Sequence, residues 1–156
     1  MVSSLIPGSL IKILEEEAQK QKTSPEAVLS ELLLVLVPDE KKPSVLLDSA
    51  NTCLVNAEKL GDEGKIIDGY KRVWSAMTLV LKAYSLKKGV EAPRSLEEMW
   101  KTVEEIGKEL GEDVYAAFYT ALAADIASIE KLEYLSHLKT MIKILRGLVG
   151  KLVSIL

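Results

Sequence analysis

One cysteine, one histidine and one phenylalanine occur among 156 residues, and each scarcity closes off a class of chemistry. With Cys53 alone there can be no internal disulfide, and the chain suits a reducing compartment, the cytoplasm. With His137 alone, neither a multi-histidine zinc site nor a histidine triad with Cys53 can be assembled, and no metal or cofactor is expected. Asparagine and glutamine are confined to Asn51, Asn56, Gln19 and Gln21, while lysine and glutamate abound; that balance leans towards a heat-loving source. There is no basic excess: the net charge is −3, which argues against nucleic acid as a partner. The start, MVSSLIPGSL, lacks a basic stretch followed by a long apolar core, so no signal peptide is expected. The uncharged run at residues 114–124 falls far short of the ~20 residues of a membrane span. Strand-like alternation is absent as well.

What is present is an apolar fraction of 48% and a charged fraction of 28%, the balance of one folded domain with or without an appendage. A chain of this length can bury roughly 70% of its unfolded surface. Residues 64–88, GKIIDGYKRVWSAMTLVLKAYSLKK, organise the rest. Ile66, Tyr70, Val73, Met77, Val80, Leu81 and Tyr84 recur at helical spacing, and Trp74 is expected in the core beside them. A second seam of small residues, Gly69, Ala76 and Ala83, runs at a spacing of seven, so another helix can approach closely there. A helix with two apolar seams belongs at the centre of a bundle.

Around it, residues 9–37 read as a helical hairpin. Leu10, Ile13, Leu14 and Ala18 line its first helix, Thr23 or Ser24 caps the second, and Glu26 closes a capping box with Thr23. The second helix ends in LLLVLV, apolar on every side. The stretch VPDEKKPS, residues 37–44, reads as a linker. A third helix follows with Cys53 in its apolar row, where a thiol acts as core filler. The fifth helix opens with a Ser95–Glu98 capping box and is expected to bury Leu96, Trp100, Val103, Ile106 and Leu110. A single helix from Glu112 to the end would run about 65 Å at 1.5 Å per residue, so a break is placed near residues 133–136. The expected fold is all-α: an antiparallel bundle of about five helices over residues 39–156, with an N-terminal hairpin over residues 1–38.

Two resemblances follow from these residues. IPGSLIKILEEEAQKQKTSPEAVLSELL resembles the ribbon-helix-helix pattern of intertwined dimers, but MVSSLI before Pro7 offers no side chain to read base edges. GDEGKIIDGYKRVWSAMTLVLKAYSLKKG resembles the PaREP family of archaeal helical proteins. The resemblance lies in Gly64, Ile66 and Ile67, Arg72, Val73 and Trp74, Ser75 and Ala76, Lys82 and Ala83, with Phe118 and Tyr119 as the later aromatic pair. It implies a bundle related to the HEPN fold, some members of which are ribonucleases or nucleotide-binding partners. Their signature, an Arg followed after four to six residues by His, is missing. Met77, Thr78 and Leu79 stand in those places after Arg72, Met99, Trp100 and Lys101 after Arg94, and Lys151, Leu152 and Val153 after Arg146.

No catalytic residue is assigned. Asp125 falls on the apolar face of the sixth helix among Phe118, Leu122, Ile129 and Leu132, so it needs a partner, and Arg72, Lys82, Tyr70 and Tyr84 are the candidates. Asp125, Arg72 and Tyr84 are therefore the candidate ligand site; the bland alternatives are a structural ion pair, or a face turned to solvent because the Ala-rich side (Ala116, Ala123, Ala127) is the buried one. Lys139, Lys143 and Arg146, with Lys151, make the last helix basic. They either contact an anion or nucleic acid, or balance charge within the molecule against the acidic fifth helix. The expected function is a non-enzymatic binding or assembly module with an unidentified protein or nucleotide partner. The alternative is a HEPN-related nucleotide-binding or RNA-processing protein without the Arg-to-His motif. Because residues 32–37 are apolar all round, a homodimer through the hairpin is expected.

Overall fold

A computed structural model describes residues 5–156. Among them every regular element is helical: α1 (Gly8–Gln21), α2 (Pro25–Leu33), α3 (Lys42–Asp62), α4 (Ile66–Lys88), α5 (Leu96–Leu110), α6 (Asp113–Ile129) and α7 (Leu135–Ile155). Single 3-10 turns at Leu34–Leu36 and Asp39–Lys41 join α2 to α3. None of the helices described is long and apolar enough to cross a membrane.

Both seams of α4 are buried, as its spacing requires. Tyr70, Val73, Met77, Val80, Leu81 and Tyr84 face one set of neighbours, and Gly69, Ala76 and Ala83 another. α4 packs along α3, its partner across a short turn, and also meets α5, α6 and α7. The small residues allow this crowding. A side chain at Gly69 would have its Cβ 2.5 Å from Leu138 Cδ2 and 3.2 Å from the Ala57 carbonyl oxygen, and one at Gly61 would lie 2.9 Å from the same methyl. Leu138 of α7 thus sits in a notch formed by two glycines on α3 and α4, and it is completely buried.

The side of α6 that turns inward is Val114, Ala117, Phe118, Ala121 and Ala124; of the Ala-rich side that the sequence offers as the alternative, Ala127 is buried but Ala116 and Ala123 are exposed. The break between α6 and α7 falls at residues 130–134, slightly earlier than the spacing predicts. It carries neither Pro nor Gly because Lys131 adopts the left-handed conformation (φ 56°), and the Leu132 N–H closes the helix end on the Ala127 carbonyl at 2.9 Å. Tyr70 then donates to the Tyr134 carbonyl at 3.0 Å, fastening the start of α7 to α4.

Several local expectations are corrected. Ser24, not Thr23, caps α2, accepting from the Ala27 N–H, and Glu26 points away from the cap. α2 ends at Leu33, and the apolar run finishes as a 3-10 turn. The linker is shorter than VPDEKKPS suggests, because α3 starts at Lys42 with Pro43 buried in its first turn. On α5 only Val103 and Ile106 are buried; Leu96 and Trp100 are exposed, with Trp100 resting against Tyr119 at a centroid distance of 5.5 Å. The short strand that the ribbon-helix-helix resemblance implies before Pro7 falls largely on residues 1–4, outside the described residues, and Leu5 and Ile6 form a turn and a bend.

Gly69→Ala tests the notch. Alanine gains about 1 kcal/mol of helix propensity over glycine, but a Cβ wedged against a buried leucine and a backbone oxygen costs about 1–3 kcal/mol. The variant is expected to unfold at lower urea concentration. In a Leu138→Ala background, where the notch is empty, the same substitution should be neutral or stabilising.

Candidate functional site

α2 carries several hydroxyl and charged side chains where an ordinary docking helix carries leucines, and these make its attachment to α3 and α4. The Thr23 and Ser75 hydroxyls lie 3.2 Å apart, and those of Ser30 and Ser49 2.7 Å apart. Ser24 Oγ lies 3.5 Å from Cys53 Sγ. Asn56 donates to Glu26 at 2.6 Å, Arg72 Nε stands 3.4 Å from the other Glu26 oxygen, and Lys82 pairs with Glu31 at 3.0 Å. Apolar burial on this hairpin is limited to Ala18, Ala27, Val28 and Leu34.

Beyond this seam the hairpin and the bundle do not close. A groove of about 880 Å³ runs between them, with Lys22, Ala27 and Glu31 on the hairpin side. Trp74, Thr78 and Lys82 come from α4, and Val90, Pro93, Arg94 and Met99 from the α4–α5 connection and α5. The rim charges are nearly balanced: Lys82 faces Glu31, and Arg94 stands 3.6 Å from Glu91. Lys22, which ends α1 in the left-handed conformation (φ 54°), is the cation that acts on Asp125.

Trp74, expected in the core, lines this groove and is only partly buried. The signal was in the sequence: Trp74, Thr78 and Lys82 share one helical stripe, and two of the three are polar. A stripe of that composition marks the edge of a core.

Two of the three candidate ligand residues, Arg72 and Tyr84, are engaged elsewhere. Arg72 is paired with Glu26 in the seam. Tyr84 donates to Glu109 at 2.7 Å, and Glu109 also meets Lys88 at 2.5 Å. Burial and the Glu109 charge push the Tyr84 phenol well above its ordinary range, while Lys88 and then Tyr84 hold the Glu109 carboxyl low. Asp125 sits half-buried at the margin of the α6 core face; burial raises its carboxyl and Lys22 pulls it partly back. Burial pushes the Cys53 thiol up to about 12, with the Ser24 hydroxyl opposing, so it is held as the protonated filler its apolar row predicts. His137 is exposed beside Tyr134.

The basic residues of α7 find acids within the molecule, though not on α5. Lys139 pairs with Asp62 at 3.4 Å and Arg146 with Glu58 at 2.7 Å, both acids on α3, and Lys151 meets Asp113 at the start of α6. Three of the α5 acids are matched by neighbours instead: Glu97 by Lys101, Glu105 by Lys108, Glu109 by Lys88. Lys143 is exposed on the same helix as the paired cations.

Asp125 gives a test with a definite sign. A carboxyl whose folded pKa lies above its unfolded value of 3.8 is penalised for ionising in the folded state. The penalty is present at neutral pH, fades as pH falls through the folded pKa, and is gone below 3.8. Asp125→Asn should therefore raise the urea midpoint at pH 7 and leave it unchanged near pH 3.5. A lowered midpoint at pH 7 would mean that the attraction of Lys22 outweighs burial. No family model, curated protein or solved structure matches the chain, so what this groove and its seam can do is read from their own geometry.

Proposed function

We propose that the chain is a non-enzymatic assembly module of the cytoplasm: a PaREP-type, HEPN-like antiparallel bundle of about five helices, α3 to α7. The hairpin of residues 1–38 joins two copies into a homodimer. The observation that carries this reading is the ridge that follows α2. Leu32 is 62% exposed, Val35 80% and Leu36 78%, and Leu33 stands half out of the surface beside them. Four large aliphatic side chains within five residues form an apolar surface of the kind that soluble monomers seldom leave in water. A second copy using the same patch about a two-fold axis is the commonest way to cover one.

Three further observations support it. α4 is enclosed by α3, α6 and α7, as the central member of such a bundle would be. The residues of the PaREP-like motif have distinct structural roles: Gly64 is left-handed in the α3–α4 turn, and Ser75, Ala76 and Ala83 are buried. The ionisable groups best placed for chemistry, Arg72, Tyr84 and Glu109, are tied to structural partners. The HEPN-related nucleotide-binding alternative draws no comparable support from them, and the paired cations of α7 favour charge balance over nucleic-acid contact.

Sedimentation equilibrium of the full chain, with and without Val35→Glu and Leu36→Glu, checks the assembly. Both positions are exposed, so the helical circular dichroism should be unchanged. A dimer is expected for the parent and a monomer for the double variant. A parent chain that is monomeric at tens of micromolar, or a double variant that stays dimeric, would sink the hairpin interface.

A further inference from the structure

We propose that each copy seats its ridge, residues 32–36, in the groove of the other, so that the dimer is held by two reciprocal ridge-in-groove contacts. This rests on the assembly reading above and goes beyond it by naming the surface that receives the ridge.

A stable interface buries about 800 Å² on each partner. Four aliphatic side chains, none fully exposed, meeting their own copies cannot reach that figure, so a second surface has to contribute. The groove is the surface that adjoins the ridge, through Glu31; the exposed Leu10 and Ile13 of α1 are the other apolar surface of the hairpin. The groove's apolar floor is formed by Trp74, Leu86, Val90, Pro93 and Met99, and its volume of about 880 Å³ lies within the range that accommodates a bound organic group or several side chains.

Ridge and groove are continuous. Ala27 and Glu31 of α2 line the groove, and Val35, four residues on in the 3-10 turn that follows α2, is the most exposed side chain of the ridge. A convex feature that begins where a concave one ends is self-complementary about a two-fold axis placed between them, which is the requirement of an isologous dimer.

Charge agrees with shape. Behind the ridge the chain presents Asp39 and Glu40, both exposed. Lys42 occupies Asp39. Glu40 is the acid left for a partner, and the groove rim offers Arg94, whose link to Glu91 is a loose surface pair at 3.6 Å with both side chains more than three-quarters exposed. Such a pair contributes little and exchanges readily. The near-balance of the remaining rim charges disfavours a small anion as occupant and suits an apolar segment with one acid behind it.

The test is a complementation experiment on the full chain. Leu36→Glu spoils the ridge and Val90→Glu spoils the groove floor; both residues are exposed at the surface, and circular dichroism confirms that each variant is folded. Each alone is expected to weaken dimerisation at least about tenfold. Mixed together, they should form a heterodimer, because the intact ridge of the Val90→Glu chain meets the intact groove of the Leu36→Glu chain. Loss of the dimer in Leu36→Glu alone, with Val90→Glu unaffected, means that ridge packs on ridge and leaves the groove to another occupant. The assembly reading then stands and this proposal fails. Two weakened variants that do not complement also overturn it, and a parent chain that is monomeric removes both.

Discussion

The contact on which the rest of the structure depends is the seating of Leu138 between Gly61 and Gly69. Two helices joined by a short turn diverge only slowly, and side chains at those two positions would keep a third helix at the usual 8–10 Å. With hydrogen in place of both, α7 approaches the α3–α4 pair closely enough for one leucine to touch both backbones. That approach fixes the start of α7, and the Tyr70 hydroxyl holds it there through the Tyr134 carbonyl. With α7 placed, its row of Ile142, Leu145, Val149 and Leu152 continues the core down its length, and the Ala-rich face of α6 fills the remaining side.

The hairpin obeys a different rule. Where the bundle is held by shape and apolar burial, α2 is held mainly by hydroxyl pairs, one amide–carboxylate bond and two ion pairs. Glu26 and Arg72 each keep one buried polar atom without a well-formed hydrogen bond, so even their mutual attraction at 3.4 Å is incompletely satisfied. A helix that spends its inward face on polar partners has its leucines left over. They appear where α2 runs out, at the ridge, and the same polar docking leaves the groove unfilled beside them. Ridge and groove are thus two results of one choice of side chains along a single helix.

The central helix was the most legible part of the fold, because two apolar seams on one helix admit only an interior position. The small-residue spacing of Gly69, Ala76 and Ala83 announced a close approach, although nothing in it named Leu138 as the visitor. Legibility fell at the margins. Hydrophobicity points Trp74 and Trp100 to the core, but each stands at the end of its apolar arc, where a large ring reaches past the last covered position. The α6–α7 break was hidden because a lysine takes the left-handed turn that glycine usually occupies. The spacing puts Asp125 inside an apolar face of α6, but Ile129 and Leu132 of that face are exposed, so the carboxylate stands at a margin, and Lys22, the cation that acts on it, lies 103 residues away in sequence and is brought near only by the fold. The groove left no sequence signal beyond the polar stripe of Trp74, Thr78 and Lys82.

The hydroxyl-rich attachment of the hairpin has a consequence for how the molecule comes apart. Water replaces a serine–serine or lysine–glutamate contact with little loss, whereas it cannot replace the contacts of Leu138 or Phe118. Separating α2 from the bundle is therefore expected to cost less free energy than separating α7 or α6. Amide protons of α1 and α2 will exchange through partial opening events while those of α4 wait for global unfolding. A single unfolding free energy then describes the bundle and not the whole chain.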